Sequence, residues 1–422
     1  MQIIENNKIK EKVYIEKLEN GLTIMAFPKK TKKKYIIWST NFGSIDNKFY
    51  INGSSQLTTV PDGIAHYLEH KLFEQENGKN SLDVLTTIGV DANAFTTNDH
   101  TAYLFECTEN FDEALVEFMN YVQNPYFTDE NVEKERGIIE QEIMMYDDYP
   151  EWVVYMNLMK AMYKNNEINI DVAGTKETIA EIDKDKLYTI YNTFYRPENM
   201  VLVVCGDFIP EEIIPKLKSM VTMKSEDFSV KRVYNEEPSE IVESYVEQKM
   251  DISMPIVMIG YKDTNSEDNK VRRDLGVGIL GNLLFSKSTK LFENLYESGK
   301  IIEEPSIDYE FSKTFEHILI QVKTDYVEDV LNEINNEIDN FKNNGIKQED
   351  FDRIKKLIYG YLVKDYSDVS TIATNLVEEY FMGINPFDYF EEFNSITKEY
   401  VENLLNEVFV EEKKVVSVIK PM

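Results

Sequence analysis

Apolar and polar positions alternate with a period of two over the first 45 residues, as strands do. The run VYIEKL passes through Glu19-Asn20-Gly21, a turn signal, into LTIMAF, and YIIWSTNFGS follows. The period then changes. Gly63 to Phe73 reads as a helix, and SLDVLTTIG as a short helix ending at Gly89. VDANAFTT and HTAYLFECT read as a strand pair around Asn98-Asp99, and Asn110 to Gln123 as an amphipathic helix. Thr128-Asp129-Glu130-Asn131 is a start signal for a longer helix reaching about Tyr146, and helical pattern resumes at Pro150. Two further helices precede NMVLVVCGDF, whose unbroken apolar run predicts a buried strand.

From Thr222 to Ser244 the chain is charged and loses its apolar period, so a domain boundary is expected there, separating 1–228 from 229–422. Beyond it the order repeats. PIVMIGY is a strand, 269–298 is helical, PSIDYEF and HILIQVK are strands, Tyr326 to Asn344 is a helix, and KVVSVI is a last strand after more helices. The halves also end alike, in YRPENMVLVVCGDF and VFVEEKKVVSVIKPM, a coarse duplication with a period of about 200 residues, far longer than a solenoid repeat. The pattern predicts an α+β fold of two similar halves, each a mostly antiparallel sheet packed with helices.

A chain of 422 residues is long enough for two domains. A net charge of −31 argues against nucleic acid as a partner and favours solubility. The two cysteines, Cys107 and Cys205, lie in apolar strands and are expected to be buried thiols in a reducing compartment. The first residues lack the apolar core of a signal peptide, and no stretch is apolar enough to span a membrane, so a cytoplasmic protein is expected. The lysine-rich run from Lys29 to Lys34 is expected to be a solvated turn.

Two of the four histidines fall within HYLEH, at His66 and His70. On a helix these residues and Glu69 share one face, while Ile64, Ala65, Leu68 and Leu72 share the opposite one. Two imidazoles one turn apart can hold one Zn²⁺, and a carboxylate beside them can take a proton from a water that the metal activates. A catalytic zinc needs a third protein ligand. The stretch VEKERGIIEQEIMMYDD offers four glutamates. On a helical wheel Glu135, Ile138, Ile139 and Glu142 share a face, while Glu133 and Glu140 point elsewhere. A carboxylate on an apolar stripe is costly unless it is paired or bound to metal. Either Glu142 or Glu135 is therefore the expected third ligand. His100 and His317 are taken as structural or exposed.

With these residues in view, the chain resembles the pitrilysin/insulinase family of metallopeptidases, and by length its mitochondrial-processing-peptidase-like bacterial members. The resemblance rests on the inverted zinc motif His66-Tyr67-Leu68-Glu69-His70, on Glu135-Arg136, and on Glu142, which lies seven residues after Glu135 and 72 after His70. DANAFTTNDHTAYLF and FYRPENMVLVVCGDF extend it over most of the chain. It implies that the two halves together form one half of a clam-shell chamber. It further implies that His66, His70 and Glu142 hold one zinc ion, that Glu69 is the general base, and that Glu135 supports the site from behind. Asn93, Ala94, Phe95 and Thr96 match the edge strand on which such enzymes lay a peptide substrate.

One departure carries a consequence. Family members use an arginine and, seven residues on, a tyrosine to bond the substrate near the scissile carbonyl. Here those positions fall on Tyr296 and Glu303. The resemblance then implies a heterodimer, in which a homologous subunit lacking the zinc motif supplies the pair. Two other readings are a non-catalytic scaffold subunit and a structural zinc module. The first has no use for Glu69, and the second lacks suitably spaced cysteines.

Overall fold

The computed structural model describes residues 1–225, 228–264 and 269–422. The chain forms two compact units. The first comprises Met1–Ile143, Asp171–Tyr234 and Val363–Phe387, and the second Met144–Ile170, Asn235–Leu362 and Asp388–Met422.

The first unit is built on strands β1 (Gln2–Asn6), β2 (Glu11–Lys17), β3 (Thr23–Pro28), β4 (Lys34–Thr40), β5 (Lys48–Ile51), β6 (Thr58–Thr59), β7 (Asp91–Thr96), β8 (Thr101–Cys107), β9 (Met200–Gly206) and β10 (Val230–Arg232). Seven of them form a sheet in the order β1-β2-β3-β9-β4-β8-β7, and β10-β5-β6 form a small second sheet. Within the large sheet β3 and β9 run parallel, and the other neighbours are antiparallel. Strands β4 and β9 are almost wholly buried because both faces of the sheet are covered. On one face Ile24, Ile36, Trp38 and Leu202 join a core with Leu68, Leu115 and Phe118. On the other, the helix Val369–Met382 packs against β9 and β4, and the Phe27 ring meets Tyr366 and Phe387.

The second unit carries β11 (Tyr245–Met250), β12 (Ile256–Lys262), β13 (Ser306–Phe311), β14 (Glu316–Lys323) and β15 (Lys414–Pro421), in the order β11-β15-β12-β14-β13. One pair, β11 with β15, is parallel. The helix Pro150–Met162 lies on this sheet, with Val154, Leu158 and Met162 packed against Met258, Leu319 and Ile419. The approach is close: a Cβ on Gly260 would sit 2.3 Å from Met162 Cε and 2.8 Å from Leu158 Cδ2, so those side chains would have to shift. His317 is fully buried on β14, between the Tyr163 hydroxyl and the Glu310 carboxylate, each 3.0 Å away, and is structural as expected. His100 is also buried and bonds Thr97, and both cysteines are buried thiols.

The α+β architecture agrees with the sequence pattern, but the contiguous division at 228/229 does not describe the compact units. Each half of the chain lends a helical segment to the other's unit, 144–170 in one direction and 363–387 in the other. Apolar periodicity identifies a helix with a buried face; it does not say which sheet that face covers. The charged segment is not wholly a linker either. β10 pairs with β5, and Arg232 and Tyr234 both bond Asp46, each at 2.8 Å. Among the described residues no helix is long and apolar enough to cross a membrane.

Candidate metal and catalytic centre

HYLEH lies on the helix Ile64–Lys71. Gly63 starts it with φ 88°, and a Cβ there would sit 2.4 Å from the Ala173 carbonyl oxygen, so this entry needs glycine. Ile64, Ala65, Leu68 and Leu72 are buried in the core, as the wheel requires. Tyr67 is buried too, and its hydroxyl donates to the Val132 carbonyl, which ties this helix to the glutamate-bearing one.

That second helix spans Asp129–Asp147. Its start is capped reciprocally: the Asn131 N–H donates to Thr128 Oγ1 at 3.1 Å, and the Thr128 N–H to Asn131 Oδ1 at 2.9 Å. Val132, Glu135, Ile139 and Ile143 form its buried stripe. Ile138 departs from the expected face and is 47% exposed. It sits one residue from the fully buried Ile139, about 100° around the helix, and so falls outside the stripe. Glu142 occupies the stripe's edge, half-buried, where it meets both histidines.

One ligand atom each from His66, His70 and Glu142 lies within 4.8 Å of the others. His66 Nε2 is 3.6 Å from Glu142 Oε1, and His70 Nε2 is 3.3 Å from Glu142 Oε2. Zinc bonds of about 2.0–2.2 Å in a tetrahedron place neighbouring ligand atoms about 3.3–3.5 Å apart. Two imidazole nitrogens and one carboxylate oxygen are a donor set that Zn²⁺ takes, with one position left for water or substrate. Glu135 does not join this trio. Its Oε1 lies 3.1 Å from the far ring nitrogen, Nδ1, of His70, the place of a carboxylate that orients a metal-bound imidazole. Lys71, fully buried, lies between Glu135 and Glu74.

Glu69 is 7% exposed, and its Oε2 accepts a 2.8 Å hydrogen bond from the Thr96 hydroxyl. Burial pushes the Glu69 carboxyl up from its ordinary value, against the opposing pull of the His66 imidazole and of Thr96. Hydrogen bonds from His66 and His70 hold Glu142 well below the usual carboxylate range. Without metal, burial works to lower His70, but the Glu135 and Glu142 carboxylates outweigh it and push the imidazole up to about 10. Burial likewise works to raise Glu135, and His70 and Lys71 outweigh it and leave it lowered.

Asn93, Ala94, Phe95 and Thr96 all lie on β7, the terminal strand of the seven-stranded sheet, so its outer side has no strand beside it among the described residues. Sequence reasoning marked Thr96 for the strand alone. Its bond to Glu69 was not legible, because it depends on how the zinc-motif helix packs on β7.

Two family models match in series. Insulinase (Peptidase family M16) covers 50–176, and Peptidase M16 inactive domain covers 181–358. A Bacillus subtilis (strain 168) protein named uncharacterized zinc protease YmfH is 36% identical over 99% of both chains. The chain belongs to peptidase family M16. A second relative, a B. subtilis (strain 168) protein named uncharacterized zinc protease YmxG, is 24% identical over 85% of this chain and 89% of its own. Among solved structures, an M16-like peptidase from Alicyclobacillus acidocaldarius superposes with a TM-score of 0.92 at 31% identity, covering 99% of this chain and 100% of that one. The periplasmic protease PqqL from Escherichia coli shares the fold at a TM-score of 0.77 and 16% identity, and this chain spans 48% of its length. Tyr296 and Glu303 are both exposed in the second unit. The nearby lysines have their own partners: Lys300 pairs with Asp329 at 3.1 Å, and Lys290 with Glu293.

Proposed function

We propose that this chain is the zinc-bearing subunit of an endopeptidase that hydrolyses peptides or unfolded segments inside a closed chamber. The observation that carries the reading is the meeting of His66, His70 and Glu142 beside a buried Glu69 that is bonded to the edge strand β7. His66, His70 and Glu142 would hold one zinc ion. Bound there, zinc supplies a Lewis acid for the scissile carbonyl and for the attacking water. Glu69 takes the proton of that water and delivers it to the leaving amine. Thr96 holds one carboxylate oxygen and so aims the base. A peptide adds to β7 as a further strand, through main-chain hydrogen bonds that tolerate many sequences. Because Thr96 belongs to that strand, the same residue sets both the register of the substrate and the position of the base.

The arginine and tyrosine come from a partner, a homologous subunit without the zinc motif. On this reading Tyr296 and Glu303 stand at the positions of that pair, and neither supplies the cation that the arginine does. PqqL, of whose chain this one spans 48%, is about twice as long.

The test is metal stoichiometry followed by peptide hydrolysis. The purified chain should carry about one zinc, lost in His66→Ala and in Glu142→Gln. Turnover should appear with the partner subunit and stay low without it. A chain that binds no zinc, or an assembled complex in which Glu69→Gln changes no activity, would leave the scaffold reading in its place.

A further inference from the structure

We propose that Lys71 is a positioning residue of the metal centre, acting on His70 through Glu135. The inference rests on the zinc reading above and extends it by one shell. Lys71 follows the HYLEH motif directly and has no exposed surface. A buried ammonium is costly unless it is paired. Its Nζ lies 2.7 Å from Glu74 Oε2 and 3.6 Å from Glu135 Oε2. The other oxygen of Glu135 faces His70 Nδ1 at 3.1 Å, and His70 Nε2 faces Glu142 at 3.3 Å. Glu74 is met in turn by Lys134, 3.5 Å away and 71% exposed. A row of alternating charge thus runs Lys134, Glu74, Lys71, Glu135, His70, from solvent to the ligand trio.

The arrangement has a physical purpose. An imidazole that binds metal through Nε2 is neutral and must direct its Nδ1–H at an acceptor. Glu135 is that acceptor, and it is 8% exposed. Once His70 is a neutral ligand it no longer balances the carboxylate's charge, and the ammonium of Lys71 does. At 3.6 Å the ammonium also draws the second oxygen of Glu135 by charge, which disfavours rotation of the carboxylate off the imidazole. Losing it leaves a buried carboxylate short of a counter-charge beside a metal ligand, and the affinity of the site falls.

The experiment is a double-mutant cycle read as zinc affinity, by competition with a chromogenic chelator, on the full chain. Lys71→Met preserves the bulk of the side chain and removes its charge. It should weaken zinc binding by about 10-fold, at the low end of the 10–100-fold that outer-shell partners contribute. Glu135→Gln should weaken it by a comparable factor, and Lys71→Met should add nothing further in the Glu135→Gln background. Glu74→Gln, which touches the same ammonium from the other side, should leave affinity within about 2-fold of the unmodified chain. Should Lys71→Met fail to fold, Lys71→Gln takes its place in the cycle and is judged by the same two outcomes. Unchanged affinity in Lys71→Met, or a loss that persists undiminished in the Glu135→Gln background, overturns the proposal. A zinc-free unmodified chain overturns instead the metal reading on which it stands.

Discussion

Replacing Glu69 with glutamine removes a proton acceptor and alters little else. The amide has the shape of the carboxylate and can still accept the Thr96 hydroxyl at 2.8 Å. His66, His70 and Glu142 keep their contacts with one another, so zinc content should not change. A positioned general base contributes about 10²–10⁴-fold to rate, so the barrier should rise by about 2.7–5.4 kcal/mol. The same substitution has an opposite effect on stability. Burial raises the Glu69 carboxyl above its value in the unfolded chain. As pH climbs past about 4.5 the unfolded state therefore loses its proton first and gains on the folded one. Glutamine cannot ionise and escapes this loss. Metal-free Glu69→Gln should melt above the unmodified metal-free chain at pH 7, with the gap closing as pH falls to about 4.5. Zinc analysis, steady-state cleavage of a fluorogenic peptide by the assembled enzyme, and melting curves at two pH values check all three parts. A variant with full zinc and more than about a tenth of the original turnover would refute the role given to Glu69.

Three other outcomes are expected. Thr96→Val removes the hydroxyl that draws Glu69 downward, so the acidic limb of the pH–rate profile should move to higher pH while zinc content stays constant. In the metal-free chain His70 is raised from 6.5 to about 10, so its ion pairs contribute fully below pH 6.5 and are lost as pH rises through about 10; melting temperature should fall over that window, and His70→Gln should flatten the fall. On the glutamate helix, Ile139→Ala should cost about 2–5 kcal/mol in denaturant unfolding and the exposed Ile138→Ala no more than about 0.5 kcal/mol, and equal losses would contradict the packing described.

The centre was legible in the sequence because its parts are local. His66, Glu69 and His70 sit on one helix, where spacing alone sets the face they share. The glutamate helix announces its start through Thr128 and Asn131, and it holds Glu142 at a fixed phase from Glu135. What escaped the pattern was tertiary. Ile138 and Ile139 are equally apolar, and only the packing of that helix on Tyr67 and its neighbours decides which is covered. Thr96 and Glu69 meet across a helix–strand contact that no spacing encodes. The duplication of the two halves was visible in their parallel endings, but the exchange of 144–170 for 363–387 was not, since an apolar helix face carries no mark of its destination.

That exchange bears on how the protein is made. The helix Val369–Met382 covers one face of β4 and β9, yet β9 is complete at Gly206. At about 5–20 residues per second, a ribosome needs roughly 9–35 s to pass from one to the other. For that interval the nascent first half holds a hydrophobic sheet with one side bare. A polypeptide ending near residue 228 would stay in that condition permanently, and it should aggregate or be held by chaperones.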